Sequence, residues 1–186
     1  LYATVNHLAE RLSAAGIGSR PVVFICHSMG GIIVKEIIGQ GSQKDASPAL
    51  RKISKASVGA VFYSVPHAGS KLADLGWTLR YLGASPSRAV AHLKTDPHLH
   101  EMNSVIRNMC RRGKLQVLSF SEGLPTKLSY VSTHIVPHES AYPGYGEFQV
   151  LPDHDHITVC KPRDMTDASF EALVQFLSKI EANIRQ

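Results

Sequence analysis

The feature that most constrains this chain is a serine set between an apolar run and a segment of helical spacing. Residues 22–26 are continuously apolar, Ser28 follows two residues later, and Gly30 and Gly31 open an isoleucine-rich segment. This order of strand, sharp turn and helix is typical of a nucleophile elbow, which holds a serine hydroxyl out into a cleft. Strand and helix nearly touch there, so the flanking positions must be small. Gly30 meets that requirement, and Cys26 stands where the motif usually has its first glycine.

Length and composition indicate one globular domain with a real core. The chain has 186 residues, of which 44% are hydrophobic and 19% charged, and this balance excludes a disordered chain. The formal charge of +5 is compatible with an anionic lipid surface, but without a concentrated basic patch it predicts no nucleic-acid partner. The apolar runs are too short to span a bilayer, and no signal peptide is visible. Three widely spaced cysteines predict reduced thiols and no disulfide framework.

Hydrophobic periodicity predicts helices that alternate with strands. Strands are predicted over 22–26 (buried on both faces), 58–65 and 115–120, with short extended pieces at 133–136 and 148–151. Helices are predicted over 1–16, from Ser28 to near Gly41, over 72–82, 86–93 and 97–112, and from about 166 with a stripe of Phe170, Leu173, Val174, Leu177 and Ile180. Residues 41–55 are predicted to be a loop with at most one helical turn. This alternation predicts an α/β protein with a mostly parallel sheet covered by helices on both faces.

A serine nucleophile requires a base, and the base requires an acid to orient it. On the α/β-hydrolase plan the chain order is serine, acid, histidine, each after a strand. Glu122 comes after the strand that is predicted to end at Phe120, and His156 lies in the loop before the last helix. Spacing alone leaves alternatives open, which are His154 for the base and Asp153, Asp155 and Glu139 for the acid.

Four stretches together carry a resemblance to a known family. They are Cys-His-Ser-Met-Gly-Gly at 26–31, Phe-Tyr-Ser-Val-Pro-His-Ala-Gly-Ser at 62–70, Ser-Phe-Ser-Glu at 119–122 with Leu-Pro-Thr at 124–126, and Asp-His-Ile-Thr-Val-Cys-Lys-Pro at 155–162. In this combination the chain resembles the serine active site-containing protein family, which are lipase-like α/β-hydrolases related to inositol-deacylase-type lipases. The resemblance implies that Ser28 is the nucleophile, Glu122 the acid and His156 the base, and it selects His156 over His154.

The backbone N–H of Met29 is the expected oxyanion donor, because it opens a helix just after the nucleophile. The second donor normally comes from a loop after an earlier strand, which residues 1–186 do not contain. We therefore expect these residues to be the C-terminal part of an α/β-hydrolase domain whose N-terminal strands are missing here, with a lid-like helical insertion at 71–112. Expressed alone, they should be inactive or aggregated, and Val22–Ile25 should form an exposed apolar edge.

Other polar residues have less specific readings. His67 and Ser70 are candidates for the cleft floor, with a hydrogen-bonded turn as an equal alternative. His27 is expected to pack against the nucleophile or touch substrate, and Asp155 to order its loop. Zinc ligation by His154, His156 and Cys160 is disfavoured because no second ligand cluster is present, so no metal or cofactor is predicted. Basic residues at the end of the helix over 97–112 complement its dipole, and a phosphate-binding role for them is weaker.

The expected function is that of a serine hydrolase or acyltransferase that acts on a lipid ester. The family resemblance implies phospholipid acyl remodelling, with phosphatidylglycerol as the associated lipid, at contacts of the endoplasmic reticulum with mitochondria, and with peripheral membrane contact. One alternative is a hydrolase-shaped scaffold that binds a lipid or protein without turnover. Another is a soluble esterase that acts on small xenobiotic esters. The oligomeric state does not follow from the sequence.

Overall fold

A computed structural model describes residues 2–67, 97–128 and 130–185 of the chain, and these form six helices and six strands. The strands are β1 (Val22–His27), β2 (Ser57–Tyr63), β3 (Gln116–Glu122), β4 (Thr126–Leu128), β5 (Val131–Thr133) and β6 (Glu147–Leu151). The helices are α1 (Tyr2–Ala14), α2 (Met29–Gly41), α3 (Pro48–Ala56), α4 (Pro97–Arg111), α5 (His138–Ala141) and α6 (Ala168–Ile184). The predicted helices over 72–82 and 86–93, and Ser70, lie outside the described residues.

Four strands form one parallel sheet in the order β1-β2-β3-β6, and β4 and β5 form a separate antiparallel hairpin. Successive side chains of a strand point to opposite faces, and β2 shows this directly. Ala60 and Phe62 belong to a core cluster that includes residues of α2 and α4, whereas Val61 and Tyr63 pack in a cluster with Phe176 of α6. The prediction of an α/β protein with a mostly parallel sheet between helices is therefore confirmed.

Strand β1 differs from its prediction, because it is not buried on both faces. Most of its residues are only partly covered, and the Ile25 side chain is 57% exposed. Among the described residues β1 pairs with β2 alone, so it forms an edge of the sheet. An edge strand presents unpaired backbone groups and a side chain to solvent. The apolar edge expected at Val22–Ile25 is present.

The segment predicted to be a loop over 41–55 instead contains α3, a helix of nine residues. Ser47 caps its N-terminus, since the Ser47 Oγ accepts a hydrogen bond from the Leu50 N–H, and Pro48 occupies the first helical position. Both are ordinary signals for a helix start. Leu50 and Ile53 are fully buried on one face. The prediction of a loop was wrong because it was based on the polar residues around the cap, and the apolar stripe of this helix is short.

The second half of the chain also shows differences from the predicted elements. Strand β3 continues two residues beyond Phe120, so Glu122 is its last residue and does not follow it. In place of one extended piece at 133–136 there is the β4–β5 hairpin, followed by the short helix α5. In α6 the buried positions include Phe176 and Ile180, whereas Val174 is 44% exposed. The helix over 97–112 and the extended piece at 148–151 are confirmed.

Candidate active site

The carboxyl end of the parallel sheet brings together the three residues selected from the sequence. Ser28 follows β1, Glu122 ends β3, and His156 lies in the loop after β6. The His156 Nε2 is 3.1 Å from the Ser28 Oγ, and the His156 Nδ1 is 2.7 Å from the Glu122 Oε2. A carboxylate only accepts hydrogen bonds, so the Nδ1 donates, and the Nε2 of the neutral ring accepts from the serine hydroxyl. All three side chains are buried.

Ser28 occupies a strained turn between β1 and α2. Its φ of 52° and ψ of −129° lie in a region that serine rarely adopts, and such strain concentrates at functional sites. Two backbone hydrogen bonds hold the turn, from the Ser28 N–H to the Tyr63 carbonyl at 2.9 Å and from the Gly31 N–H to the Ser28 carbonyl at 3.1 Å. The strand–turn–helix context expected for a nucleophile elbow is therefore present.

The close approach behind this turn occurs at Gly31, and the emphasis on Gly30 was wrong. A Cβ atom built on Gly31 would lie 2.3 Å from the Val65 Cγ2, so Val65 would have to shift, whereas nothing lies within 4 Å of a Cβ on Gly30. Cys26, at the position of the usual first glycine, is buried. Burial raises the pKa of its thiol to about 12, so Cys26 behaves as a small apolar residue.

Glu122 is held by hydrogen bonds at both its backbone and its carboxylate. The Oε1 accepts from the backbone N–H groups of Ile135, at 2.5 Å, and Val136, at 3.1 Å, which leaves the Oε2 for His156. The Glu122 N–H donates to the Ser64 Oγ at 3.0 Å. Of the acids that the sequence left open, Glu122 is the one whose carboxylate lies within hydrogen-bond distance of the His156 ring in the described contacts. 

The loop that carries His156 is ordered by its neighbours. The His156 N–H donates to the Thr126 Oγ1 at 3.0 Å. The Asp155 Oδ1 accepts from the N–H groups of Ile157 and Thr158, at 3.0 and 2.9 Å, and from the Thr158 hydroxyl. Partial desolvation raises the pKa of Asp155, but these hydrogen bonds outweigh it and leave the pKa below its ordinary value. Asp155 therefore closes a turn of the loop and does not bind the imidazole.

His27 contacts His156 through its backbone and ring. The His27 Nε2–H donates to the His156 carbonyl at 2.8 Å, and the two ring centroids are 4.8 Å apart. Desolvation, together with the nearby charge of His156, lowers the pKa of His27. A neutral ring whose Nε2–H is already donated cannot act as a second base through that nitrogen. His27 therefore packs against His156 and supports it.

His154 faces a different set of partners from His156, although only one residue separates them. Its Nδ1 is 3.0 Å from the Thr158 carbonyl and its Nε2 is 3.0 Å from the Asp167 Oδ2. Both ring nitrogens of this buried histidine are therefore within hydrogen-bond distance of an oxygen. The His154 carbonyl in turn accepts from the N–H of Gly123, at 2.9 Å. His154 thus ties the exit of β3 to the loop after β6.

His67 lies in a buried polar network beside α2. The Lys35 Nζ donates to the His67 Nδ1 at 2.8 Å and also to the Asn103 Oδ1, while the Asn103 Nδ2 donates to the His67 carbonyl at 2.9 Å. Desolvation lowers the pKa of Lys35 to about 7 and places that of His67 well below its ordinary value. The described contacts connect His67 with α2, α4, Phe62 of β2 and Ser140 of α5, and not with Ser28, Glu122 or His156. Sequence reasoning did not single out Lys35.

A cavity of about 360 Å³ opens beside Ser28 and His156. Its other lining residues are His27, Met29, Gly30, Ile157, Cys160 and Lys161. Met29 is the first residue of α2, a position whose N–H has no partner within the helix and lies at the positive end of the helix dipole. An oxyanion beside Ser28 is the kind of group that this N–H could stabilise.

Within residues 2–67, 97–128 and 130–185, no group of three histidine, cysteine, aspartate or glutamate side chains could hold a metal ion. No helix among the same residues has the length and apolar content needed to cross a membrane.

The fold and the site together define an α/β protein with a four-stranded parallel sheet, compatible with a hydrolase-like fold, that carries a serine, a histidine and a glutamate in hydrogen-bond contact. Its homologues include the proteins named Protein SERAC1. The chain is 38% identical over 174 residues to the SERAC1 of Homo sapiens, 38% to that of Bos taurus and 35% to that of Danio rerio. Each match covers 92% of this chain and 26% of the relative, so the chain spans about a quarter of their length. No family model matches the chain.

Proposed function

We propose that this protein is a serine ester hydrolase or acyltransferase that acts on lipid esters, with Ser28 as nucleophile, His156 as base and Glu122 as acid. The observation that carries the proposal is the chain of two hydrogen bonds from Ser28 through His156 to Glu122, at 3.1 and 2.7 Å. Nucleophile, base and orienting acid are each within reach of the next, which is the geometry that serine catalysis requires.

In the proposed reaction the Ser28 Oγ attacks an acyl carbonyl while the His156 Nε2 takes its proton. The Met29 N–H stabilises the oxyanion, and Glu122 stabilises the imidazolium that has formed. The imidazolium then protonates the leaving alkoxide, so the ester C–O bond breaks and an acyl-serine remains. A water molecule or an alcohol gives its proton to His156 and attacks the acyl group, which releases the acid or a new ester and restores Ser28.

The lipid class of the substrate is supported by the cavity. Met29, Ile157 and Cys160 line its wall with apolar surface, and Ile157 is 40% exposed. An apolar wall beside the nucleophile suits an acyl chain better than a small polar ester. Phospholipid acyl remodelling, phosphatidylglycerol as a substrate, peripheral membrane contact and a location at the endoplasmic reticulum or mitochondria remain part of the proposal, on the family resemblance.

We further propose that residues 1–186 are the C-terminal part of the hydrolase domain and that the second oxyanion donor comes from a segment N-terminal to them. The exposed apolar edge of β1 supports this, because in a completed sheet a further strand would cover it. The lid proposed at 71–112 includes α4, while its residues up to 96 lie outside the described part of the chain.

A fluorophosphonate probe on the full-length protein tests the chemistry. The proposal requires labelling that Ser28→Ala abolishes. Ser104→Ala is a matched control and should leave it intact, because the Ser104 hydroxyl is exposed on α4 and donates to the His100 carbonyl of the same helix. A folded parent protein that is not labelled would favour the non-catalytic scaffold. With labelling established, a series of esters of increasing acyl length should show a preference for long chains at an interface, and a preference for short soluble esters would remove the lipid from the proposal.

A further inference from the structure

Ser64 has an unusual backbone conformation at the exit of β2. Among the described non-glycine residues only Ser28 and Ser64 have a positive φ, and that of Ser64 is 42°. This left-handed region is sterically disfavoured for an L-residue with a Cβ, whereas a glycine adopts it without strain. Ser64 is also fully buried. A serine at a buried position with this backbone conformation indicates that its side chain makes an interaction that glycine could not make.

The Ser64 hydroxyl replaces a backbone carbonyl as a hydrogen-bond acceptor at the end of the β2–β3 ladder. The last paired residues of these strands are Tyr63 and Phe120, after which β3 continues to Glu122 while β2 has ended. The Ser64 N–H still reaches β3, donating to the Phe120 carbonyl at 2.8 Å. The Glu122 N–H then donates to the Ser64 Oγ at 3.0 Å, where a regular ladder would offer a backbone carbonyl. The hydroxyl therefore satisfies a buried donor that a glycine would leave unpaired.

The same turn has a second structural effect next to the nucleophile. It directs Val65, which is fully buried, against Gly31 of α2, where a Cβ would lie 2.3 Å from the Val65 Cγ2. The preceding Tyr63 accepts a hydrogen bond from the Ser28 N–H at 2.9 Å. Residues 63–65 thus contact the turn that carries Ser28 from one side and the strand end that carries Glu122 from the other.

We propose that Ser64 is a positioning residue of the active site, whose hydroxyl holds the backbone of Glu122 so that the Oε2 points at the His156 Nδ1. The inference rests on the function proposed above. Two N–H groups from Ile135 and Val136 hold the other carboxylate oxygen. With its backbone bonded to Ser64 and its Oε1 bonded to these two groups, the Glu122 side chain is fixed at both ends. Removal of the Ser64 bond releases the backbone end.

A pair of variants in the full-length protein separates positioning from stability. Ser64→Ala removes the acceptor and keeps the strained φ, whereas Ser64→Gly removes the same acceptor and relieves the strain. Both should lower kcat by about 10- to 100-fold with little change in KM, because a displacement of ~1 Å in a catalytic group costs about that much. Ser64→Gly should melt at a higher temperature than Ser64→Ala. The two losses in kcat should nevertheless be similar.

Ser54→Ala is the matched control. Ser54 is also buried, and its Oγ donates to the Ile38 carbonyl at 2.8 Å, away from the triad. This variant should lower the melting temperature and keep the kcat of the parent protein. If kcat follows melting temperature across all three variants, or if Ser64→Gly retains the parent kcat, Ser64 is only a structural residue and the inference is overturned.

A second readout does not depend on turnover. The proton on the His156 Nδ1, shared with Glu122, should give a strongly downfield ¹H NMR signal in the parent protein and in Ser54→Ala. Both Ser64 variants should shift or broaden it. An unchanged signal in Ser64→Gly overturns the positioning role whether or not the protein turns over esters. If the parent protein shows this signal but is not labelled by fluorophosphonate, the proposed function is contradicted. The NMR signal of the Ser64 variants then still decides whether Ser64 positions Glu122.

Discussion

Replacement of Glu122 by glutamine tests the proposed triad most sharply, because the structure fixes which way the new amide must face. The Glu122 Oε1 accepts from the N–H groups of Ile135 and Val136. In Glu122→Gln the amide oxygen must stay there, since a flipped amide would set its NH₂ against two buried donors. Each unsatisfied buried donor costs about 1–3 kcal/mol. The flip is therefore disfavoured by roughly 2–6 kcal/mol.

The amide NH₂ of Glu122→Gln then faces the His156 Nδ1, which must accept and not donate. The ring proton moves to the Nε2, which is 3.1 Å from the Ser28 Oγ and can no longer take the serine proton. This loss of the correct tautomer should reduce kcat by about 10⁴-fold. The reduction corresponds to about 5.4 kcal/mol of transition-state stabilisation.

The assay is ester turnover by the full-length protein, with the melting temperature measured in parallel. The isosteric substitution preserves the packing around Glu122, so the fold should survive. Glu171→Gln, which removes an exposed carboxylate in the first turn of α6, should keep the parent activity. A kcat for Glu122→Gln within tenfold of the parent, in a protein that melts normally, would falsify the role given to the carboxylate.

Three further outcomes follow from the packing and the charges. Gly31→Ala should lower the free energy of unfolding by about 1–3 kcal/mol, because the added Cβ overlaps with Val65. In Gly30→Ala the added Cβ meets nothing within 4 Å, so the free energy of unfolding should change by ~1 kcal/mol or less. Equal effects of the two substitutions in denaturant titrations would contradict this. Because burial lowers the pKa of Lys35 from 10.5 to about 7, the unfolded chain binds the extra proton above pH 7 and stability rises with pH. Lys35→Met should flatten that rise between pH 7 and about 8.5, and a parallel pH dependence of the two proteins would disprove the assignment. Residues 1–186 expressed alone should aggregate through the β1 edge, so Ile25→Lys should raise their soluble fraction, and an unchanged fraction would exclude that edge as the cause.

The parallel sheet could be predicted because its signals are local. Apolar runs of strand length alternate with segments of helical spacing, and β2, β3 and β6 appear close to their predicted positions. Strand β1 was misjudged, because an apolar run does not reveal whether a neighbour covers it. Helix α3 was missed for a similar reason, since only a serine cap, a proline and two buried residues distinguish it from a loop.

The choice between His154 and His156 shows where spacing stops being informative. The two histidines are two residues apart, and the turn closed by Asp155 places one ring beside Asp167 and the other beside Ser28. The family resemblance selected His156, and the geometry brings that ring to the serine. No sequence pattern pointed to Lys35, because its hydrogen-bond partners are far away in the sequence. Its partners on the loop after β2 and on α4 are 32 and 68 residues distant.

The polar contacts that hold the site follow the strand ends across the sheet. The turn after β1 bonds to β2 through the Ser28 N–H and the Tyr63 carbonyl, the turn after β2 bonds to β3 through the Ser64 N–H, and the turn after β3 bonds to β6 through the Gly123 N–H and the Leu151 carbonyl. Each strand exit is thus fixed by its neighbour on one side. Because this series runs from β1 towards β6, hydrogen bonds within the four-stranded parallel sheet support the Ser–His–Glu geometry. Under the proposed function, a further strand beside β1 would add sheet stability and a second oxyanion donor, and it would not have to position these three residues.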